Sequence, residues 1–317
     1  PAPWLTLGAL HLELRQAKPA TAALERYVAL ATAPVAPSTP SANAADDDDD
    51  EADADAPRSS GAVGLTQAYL MLAQAAEFER DFPAAERWLA RIDSAQQALE
   101  VQMRRASLLA RQGKLAEARA LIRNSPEKSD DDARAKLLAE AQILREAKQW
   151  SEAYAVLGAA NERFPNDADL LYEQSMVAEK LDRMDDMERQ LRRVMELQPD
   201  HHHAYNALGY SLAERNLRLE EARTLIRKAL ELKPGEPFIT DSLGWVEYRL
   251  GNREEATRLL RQAYQSRPDV EIATHLGEVL WVSGQRDEAR RVLREARSRD
   301  ATNDVLVETL ARLQVDL

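Results

Sequence analysis

The chain has 317 residues and a formal net charge of −12; it holds no cysteine and only 11 Gly and 14 Pro, and is rich in Ala, Leu, Glu and Arg, a helix-forming composition. Without cysteine there are no disulfides and no thiolate zinc sites, and no run of 18 apolar residues offers a membrane-spanning helix. Eight of the acids crowd between Asp46 and Asp55, so the rest carries only −12 + 8 = −4, and no basic tract is dense enough to argue for nucleic acid.

A fixed step organises the rest. Ala222, Ala256 and Ala289 each precede Ile226, Leu260 and Leu293 by four residues, at steps of 34 (256−222) and 33 (289−256). Ala229, Ala263 and Ala296 follow seven residues after each first Ala, and Pro234 and Pro268 close two of the units. A period of this size marks stacked units, none of which can bury its apolar face alone.

In chain order, residues 1–32 read as a partial repeat opening on Trp4-Leu5-Thr6-Leu7-Gly8. The chain begins at Pro1 without Met and shows no signal peptide, so it is expected to be a fragment or a processed product whose targeting segment lay upstream. Residues 33–61 hold Pro34, Pro37, Pro40 and Pro57 around Asp46–Asp50, Glu51, Asp53 and Asp55, with little to bury. That composition predicts disorder, either as a solvated insertion or as an acidic tail for a basic partner. Residues 62–302 read as seven repeats starting near Thr66, Leu99, Arg134, Ala168, His202, Pro237 and Val270, each with two apolar-periodic stretches around a short polar turn. Gly113, Gly251 and Gly284 fall in that turn. Residues 303–317 predict a capping helix through Val305, Leu306, Leu310 and Leu313, with Asn303 at its start. The fold class is therefore all-α, a solenoid of antiparallel helix pairs.

Small residues recur where the helices must approach: Gly209, Gly244 and Gly277, with Ser175, Ala141, Ala106 and Ala73 at the same place in earlier units. A larger side chain there would push the axes apart. Leu208-Gly209, Leu243-Gly244 and Leu276-Gly277, with their downstream Ala and Pro, resemble the tetratricopeptide repeat over about residues 66–302, most closely from 202 onward. The resemblance implies a right-handed superhelix whose first helices line a concave groove. Carried onto this chain, the groove positions are Tyr210, Phe238, Asp241, Trp245, Tyr248, Arg249, Thr274 and Trp281, with His203 and Asn206 at the edge. Trp245, Tyr248 and Trp281 are expected to anchor a peptide or partner helix, Arg249 to meet a carboxylate, and Trp245 and Trp281 to be partly exposed; packing between helices is the competing role for each ring. The Lys and Asn residues of a chaperone-binding carboxylate clamp are missing.

Other constellations carry little chemistry. His201-His202-His203 point in different directions on a helix and read as a polar helix start after Pro199, not as a metal site. His275 lacks zinc-protease spacing and reads as a packed or partly exposed histidine. Asp130-Asp131-Asp132 and Glu254-Glu255 suit helix N-termini. Neither a phosphate loop nor a G-x-S-x-G elbow occurs, so no catalytic residue, cofactor or metal ligand is assigned.

Asp241-Ser242-Leu243-Gly244-Trp245, Glu247-Tyr248-Arg249-Leu250-Gly251 and His275-Leu276-Gly277-Glu278-Val279-Leu280-Trp281 are similar to segments of proteobacterial tetratricopeptide proteins. Some of those are outer-membrane lipoproteins that deliver substrates to a periplasmic carboxyl-terminal processing protease. The resemblance implies a non-enzymatic adaptor with a protein or peptide partner, periplasmic or outer-membrane-attached rather than cytoplasmic, and able to form homo-oligomers. It would touch a membrane only through a lipid anchor lost from this chain. A cytoplasmic assembly scaffold and a regulatory region of a larger enzyme are the alternatives.

Overall fold

The computed structural model describes residues 1–33, 56–92 and 98–317, and all regular structure among them is helical. The chain divides into two units, Pro1–Val156 and Leu157–Leu317. The first holds α1 (Ala2–Glu13), α2 (Ala17–Ala31), α3 (Ala56–Phe78), α4 (Phe82–Leu89), α5 (Ala98–Arg111), α6 (Leu115–Asn124) and α7 (Asp130–Glu146). Next comes α8 (Trp150–Arg163), within which the division falls. The second unit continues with α9 (Ala168–Lys180), α10 (Met184–Leu197), α11 (His202–Glu214), α12 (Leu219–Leu232), α13 (Pro237–Arg249) and α14 (Arg253–Ser266). It ends with α15 (Val270–Val282), α16 (Arg286–Arg299) and α17 (Asp304–Leu313). Each unit is a stack of helix pairs, an odd-numbered first helix followed by an even-numbered second one, and α17 stands alone at the end.

The pairs close on one contact. A Cβ on Gly244 would stand 2.7 Å from Leu260 Cγ and 3.3 Å from the Ala256 carbonyl oxygen. On Gly277 it would meet Leu293 at 2.5 Å, and on Gly8 it would meet Leu24 at 2.4 Å. The same register in the other pairs sets Ala73 with Leu89, Ala106 with Ile122 and Ser175 with Leu191, all closed to solvent. The small side chain lets the second helix seat its Leu or Ile against the first helix backbone. Removing such a Leu would cost ~2–5 kcal/mol.

The turn is equally regular. Seven residues beyond each small residue stand Arg15, Arg80, Gly113, Lys148, Asp182, Asn216, Gly251 and Gly284, and every one has a positive φ. A left-handed residue ends the first helix and reverses the chain. Five of the eight are not glycine, at roughly 1–2 kcal/mol of backbone strain each, so packing and not local preference holds those turns. Second helices start without a strong cap in several pairs, whereas first helices are capped by Ser129, Asp167, His201, Glu236 and Asp269, each accepting from a backbone N–H. Between neighbours in the second unit, Glu188 of α10 takes two hydrogen bonds from Arg218 and two from Arg192, and these guanidinium groups, Arg218 foremost, hold its carboxyl down at about 2.

Two boundaries differ from the sequence reading. Helix α3 begins at Ala56, so residues 56–61 of the expected 33–61 insertion are helical; Pro57 lies in the first turn, where its missing N–H costs no helix bond. Residues 34–55, with the acidic run, lie outside the described residues. Residues 1–32 are not a partial repeat: α1 and α2 both form, and Gly8 lies on Leu24 as Gly244 lies on Leu260. At the other end Asn303 accepts from the Leu306 N–H at 3.1 Å, and Leu306 and Thr309 are buried where α17 meets α15.

This packing makes Gly244→Leu costly, by about 1–3 kcal/mol through overpacking. Gly158, on α8, faces only the Gln174 amide at 3.2 Å, so Gly158→Ala should be neutral or gain up to ~1 kcal/mol of helix propensity. Denaturant unfolding of both variants checks the pair; equal stabilities would dismiss the close-approach account.

Candidate partner-binding face

The sequence-derived groove positions fall on α11, α13 and α15, in five registers spread over about 100° of each helix. First helices of neighbouring repeats lie side by side at about 8–10 Å. At that spacing large side chains reach one another, and here they do. His275 of α15 is the hub: its Nδ1 lies 2.9 and 3.1 Å from the Asp241 carboxylate oxygens on α13, and its Nε2 lies 3.3 Å from the Tyr210 hydroxyl on α11. The Trp245 ring lies flat on the imidazole, with centroids 4.3 Å apart and planes 24° from parallel. Three repeats are thus joined through one buried ring.

A second set of contacts runs beside it. Tyr248 packs 5.2 Å from Trp245 and its hydroxyl donates to Glu278 at 3.3 Å. Arg312 of α17 grips both Glu278 oxygens, at 2.8 and 2.6 Å. Arg249 donates to the carbonyls of Ala213 and Glu214 at 3.1 and 2.7 Å, so it satisfies the open C-terminal end of α11.

These contacts correct the sequence expectation. Trp245 is only 3% exposed, and Asp241 and Thr274 are buried as well, the Thr274 hydroxyl bonding back to the Val270 carbonyl. The reason is mutual cover: each ring fills the gap over its neighbour, which a reading of single helices cannot see. Trp245 Nε1 is buried with no protein acceptor, at a cost of ~1–3 kcal/mol, so the ring is held by packing. Arg249, expected to meet a carboxylate on a partner, is committed to α11. Trp281 is half-buried against the core of α14–α16 and carries Arg286 and Arg290 over its ring at 5.0 and 5.1 Å. Tyr210, Tyr248 and Asn206 are half-buried, His203 is exposed, and Phe238 is 37% exposed beneath Arg267.

Three residues of the network were missed by the sequence reading: Glu278, Arg312 and, as a hub, His275. A signal exists, since Asp241 and His275, like Glu278 and Arg312, are complementary pairs 34 residues apart. One repeat length sets them on adjacent layers. His201, His202 and His203 cluster beside Tyr172, with His202 and His203 ring centroids 4.1 Å apart. Burial, then the neighbouring His203, Lys233 and His201, lowers the His202 pKa and favours its neutral form. Among the described residues no group of three His, Asp or Glu side chains is placed to hold a metal. Although His275 and Asp241 form a base–carboxylate pair, both are closed to substrate, and the pair serves packing.

Burial alone would lower the His275 pKa, but the charge and hydrogen bond of Asp241, with Glu214 and Glu271, outweigh it and hold the imidazole above its ordinary value. Tyr210 is pushed up by burial and then by Glu214, Asp241, Glu271 and Glu179, so its phenol stays protonated.

Residues 188–237 and 242–304 match the tetratricopeptide-repeat family, as do residues 99–124. The TPR repeat-containing protein PA4667 of Pseudomonas aeruginosa is 39% identical over 246 residues, which is 78% of this chain and 42% of that protein. The chain therefore spans less than half the length of this curated relative. A crystal structure of a tetratricopeptide repeat protein from Parabacteroides merdae superposes with a TM-score of 0.61 at 13% identity, covering 79% of this chain and 99% of that one. The thermophilic TPR protein TTC0263 of Thermus thermophilus gives 0.52 at 21% identity, over 57% of this chain and 100% of its own. Residues 99–124, 188–237 and 242–304 thus carry tetratricopeptide repeats, a fold that suggests a protein–protein interaction scaffold.

Two tests follow from this geometry. Trp245→Ala should lose ~3–5 kcal/mol of stability and Trp281→Ala clearly less, by denaturant titration. A raised folded-state pKa for His275 means that its contribution is complete below about 6.5, the unfolded value, and is lost as pH climbs through the folded value. The melting advantage of the parent over Asp241→Asn should therefore shrink on going from about pH 6 to pH 9; a constant difference would show that the pair does not titrate in that window.

Proposed function

We propose that this tetratricopeptide-repeat chain is a non-enzymatic adaptor that seats a peptide or partner helix on the first-helix face of α11, α13 and α15, and that it delivers bound substrates to a carboxyl-terminal processing protease outside the cytoplasm. The observation that carries the binding face is its preorganisation. Tyr210 and Tyr248 on two first helices both hold their hydroxyls on α15 and leave part of the ring open, and Trp281 on the third is steadied by two guanidinium groups. A partner meeting such a surface loses little of its affinity to ordering the side chains. Aromatic anchors of this kind dominate interface energies. Buried Asp241, Trp245 and Thr274 support the face from beneath, while Phe238, Asn206 and His203 extend its margin. The protease role and the compartment rest on the similarity of the segments around Gly244 and Gly277 to adaptor lipoproteins.

Affinity capture with the immobilised chain from an envelope extract tests both levels. Tyr248→Ala and Trp281→Ala should each weaken retention by roughly thirtyfold, about 2 kcal/mol, while melting well above Trp245→Ala. Retention unchanged in folded variants would move the binding surface elsewhere. A partner retained without a processing protease, in extracts that contain one, would sink the delivery role and leave the scaffold.

A further inference from the structure

The exposed side of α1 is unlike that of any other first helix in one respect. Two residues beyond the small packing position lies a point about 200° round the helix, away from the helix's own partner. In the later first helices that point is Ala75, Leu108 and Ile143, then Val177, Ser211, Val246 and Val279, none more than 3% exposed. Within each unit it is buried because the preceding pair lies across it, as α11 and α12 lie on α13. In α1 the same point is Leu10, which is 52% exposed. Its neighbours on that side, Trp4, Leu7 and Leu14, are 39%, 38% and 60% exposed. Four large apolar side chains thus form a stripe around Leu10, whose register every later repeat closes.

We propose that this stripe is the docking face for a further antiparallel helix pair of the same kind, supplied by residues ahead of Pro1 in the protein as its organism makes it. Terminal repeats of a solenoid need a largely polar outer side, and the α17 end comes nearer to one: α17 covers α15 and exposes Glu308, Ala311 and Arg312 with Val307 as its one exposed large apolar side chain. The α1 end carries Trp and Leu instead, which is interface chemistry. More than half of the Pseudomonas relative lies outside the match, far more than a pair of about 34 residues requires. A second copy of the chain is the competing occupant, and concentration separates the two.

The chain has no cysteine, so a single introduced thiol reports on the face. Leu10→Cys in the 1–317 chain should react with a maleimide as fast as an exposed control, Ala29→Cys on α2. In the natural-length protein the Leu10→Cys thiol should react at least ~tenfold more slowly, whatever the protein concentration, since it is reached only through local opening. Leu10→Glu should leave the melting of the 1–317 chain unchanged and lower that of the longer protein. Equal labelling in both lengths, protection that appears only as the chain pairs at high concentration, or a natural protein that starts at Pro1 would each overturn the proposal.

Discussion

The structure depends on how closely the first helix of each pair can approach the second. A glycine, alanine or serine on the first helix leaves room for the Leu or Ile of its partner to touch backbone, and Gly8, Gly244 and Gly277 show the distance directly: an added Cβ would sit within 2.4–2.7 Å of a leucine side chain. Once that gap is set, the turn, the tilt of the pair and the surface offered to the next pair follow. This is why the small residue recurs through eight pairs while its neighbours vary freely.

The same approach creates the candidate face. Pairs that stack closely bring their first helices side by side, and side chains on adjacent helices then meet. In the second unit this space is filled by Tyr210, Asp241, Trp245 and His275, and the result is a polar and aromatic bolt through three repeats. Solenoids are described as sums of units and nearest-neighbour contacts. Here one imidazole links α11 to α15 with α13 between them, so these repeats should open as one cooperative block.

Much of this was legible in the chain. Ala222, Ala256 and Ala289 with their Leu and Ile partners reveal the period, and period plus helical spacing leads to paired helices. Register was legible too, because small residues mark it even where Gly is replaced by Ser175 or Ala141. Exposure was not. Trp245 occupies a groove register and was expected at the surface, yet it lies beneath its neighbours, because burial depends on the length of side chains one repeat away. The turns show the same limit: Gly113, Gly251 and Gly284 announce a left-handed residue, whereas Arg15, Arg80, Lys148, Asp182 and Asn216 do the same work with no compositional sign.

Those five turns also grade the chain in time. A non-glycine held at positive φ stores strain that is released when its hairpin opens, whereas glycine stores almost none. In the first unit Arg15, Arg80 and Lys148 carry such strain and only Gly113 is relaxed; in the last two full pairs Gly251 and Gly284 are both relaxed. Fluctuations that loosen single pairs should therefore favour the α1–α4 end over the α13–α16 end. The C-terminal repeats should then keep the steadier surface, and the early repeats should open more readily.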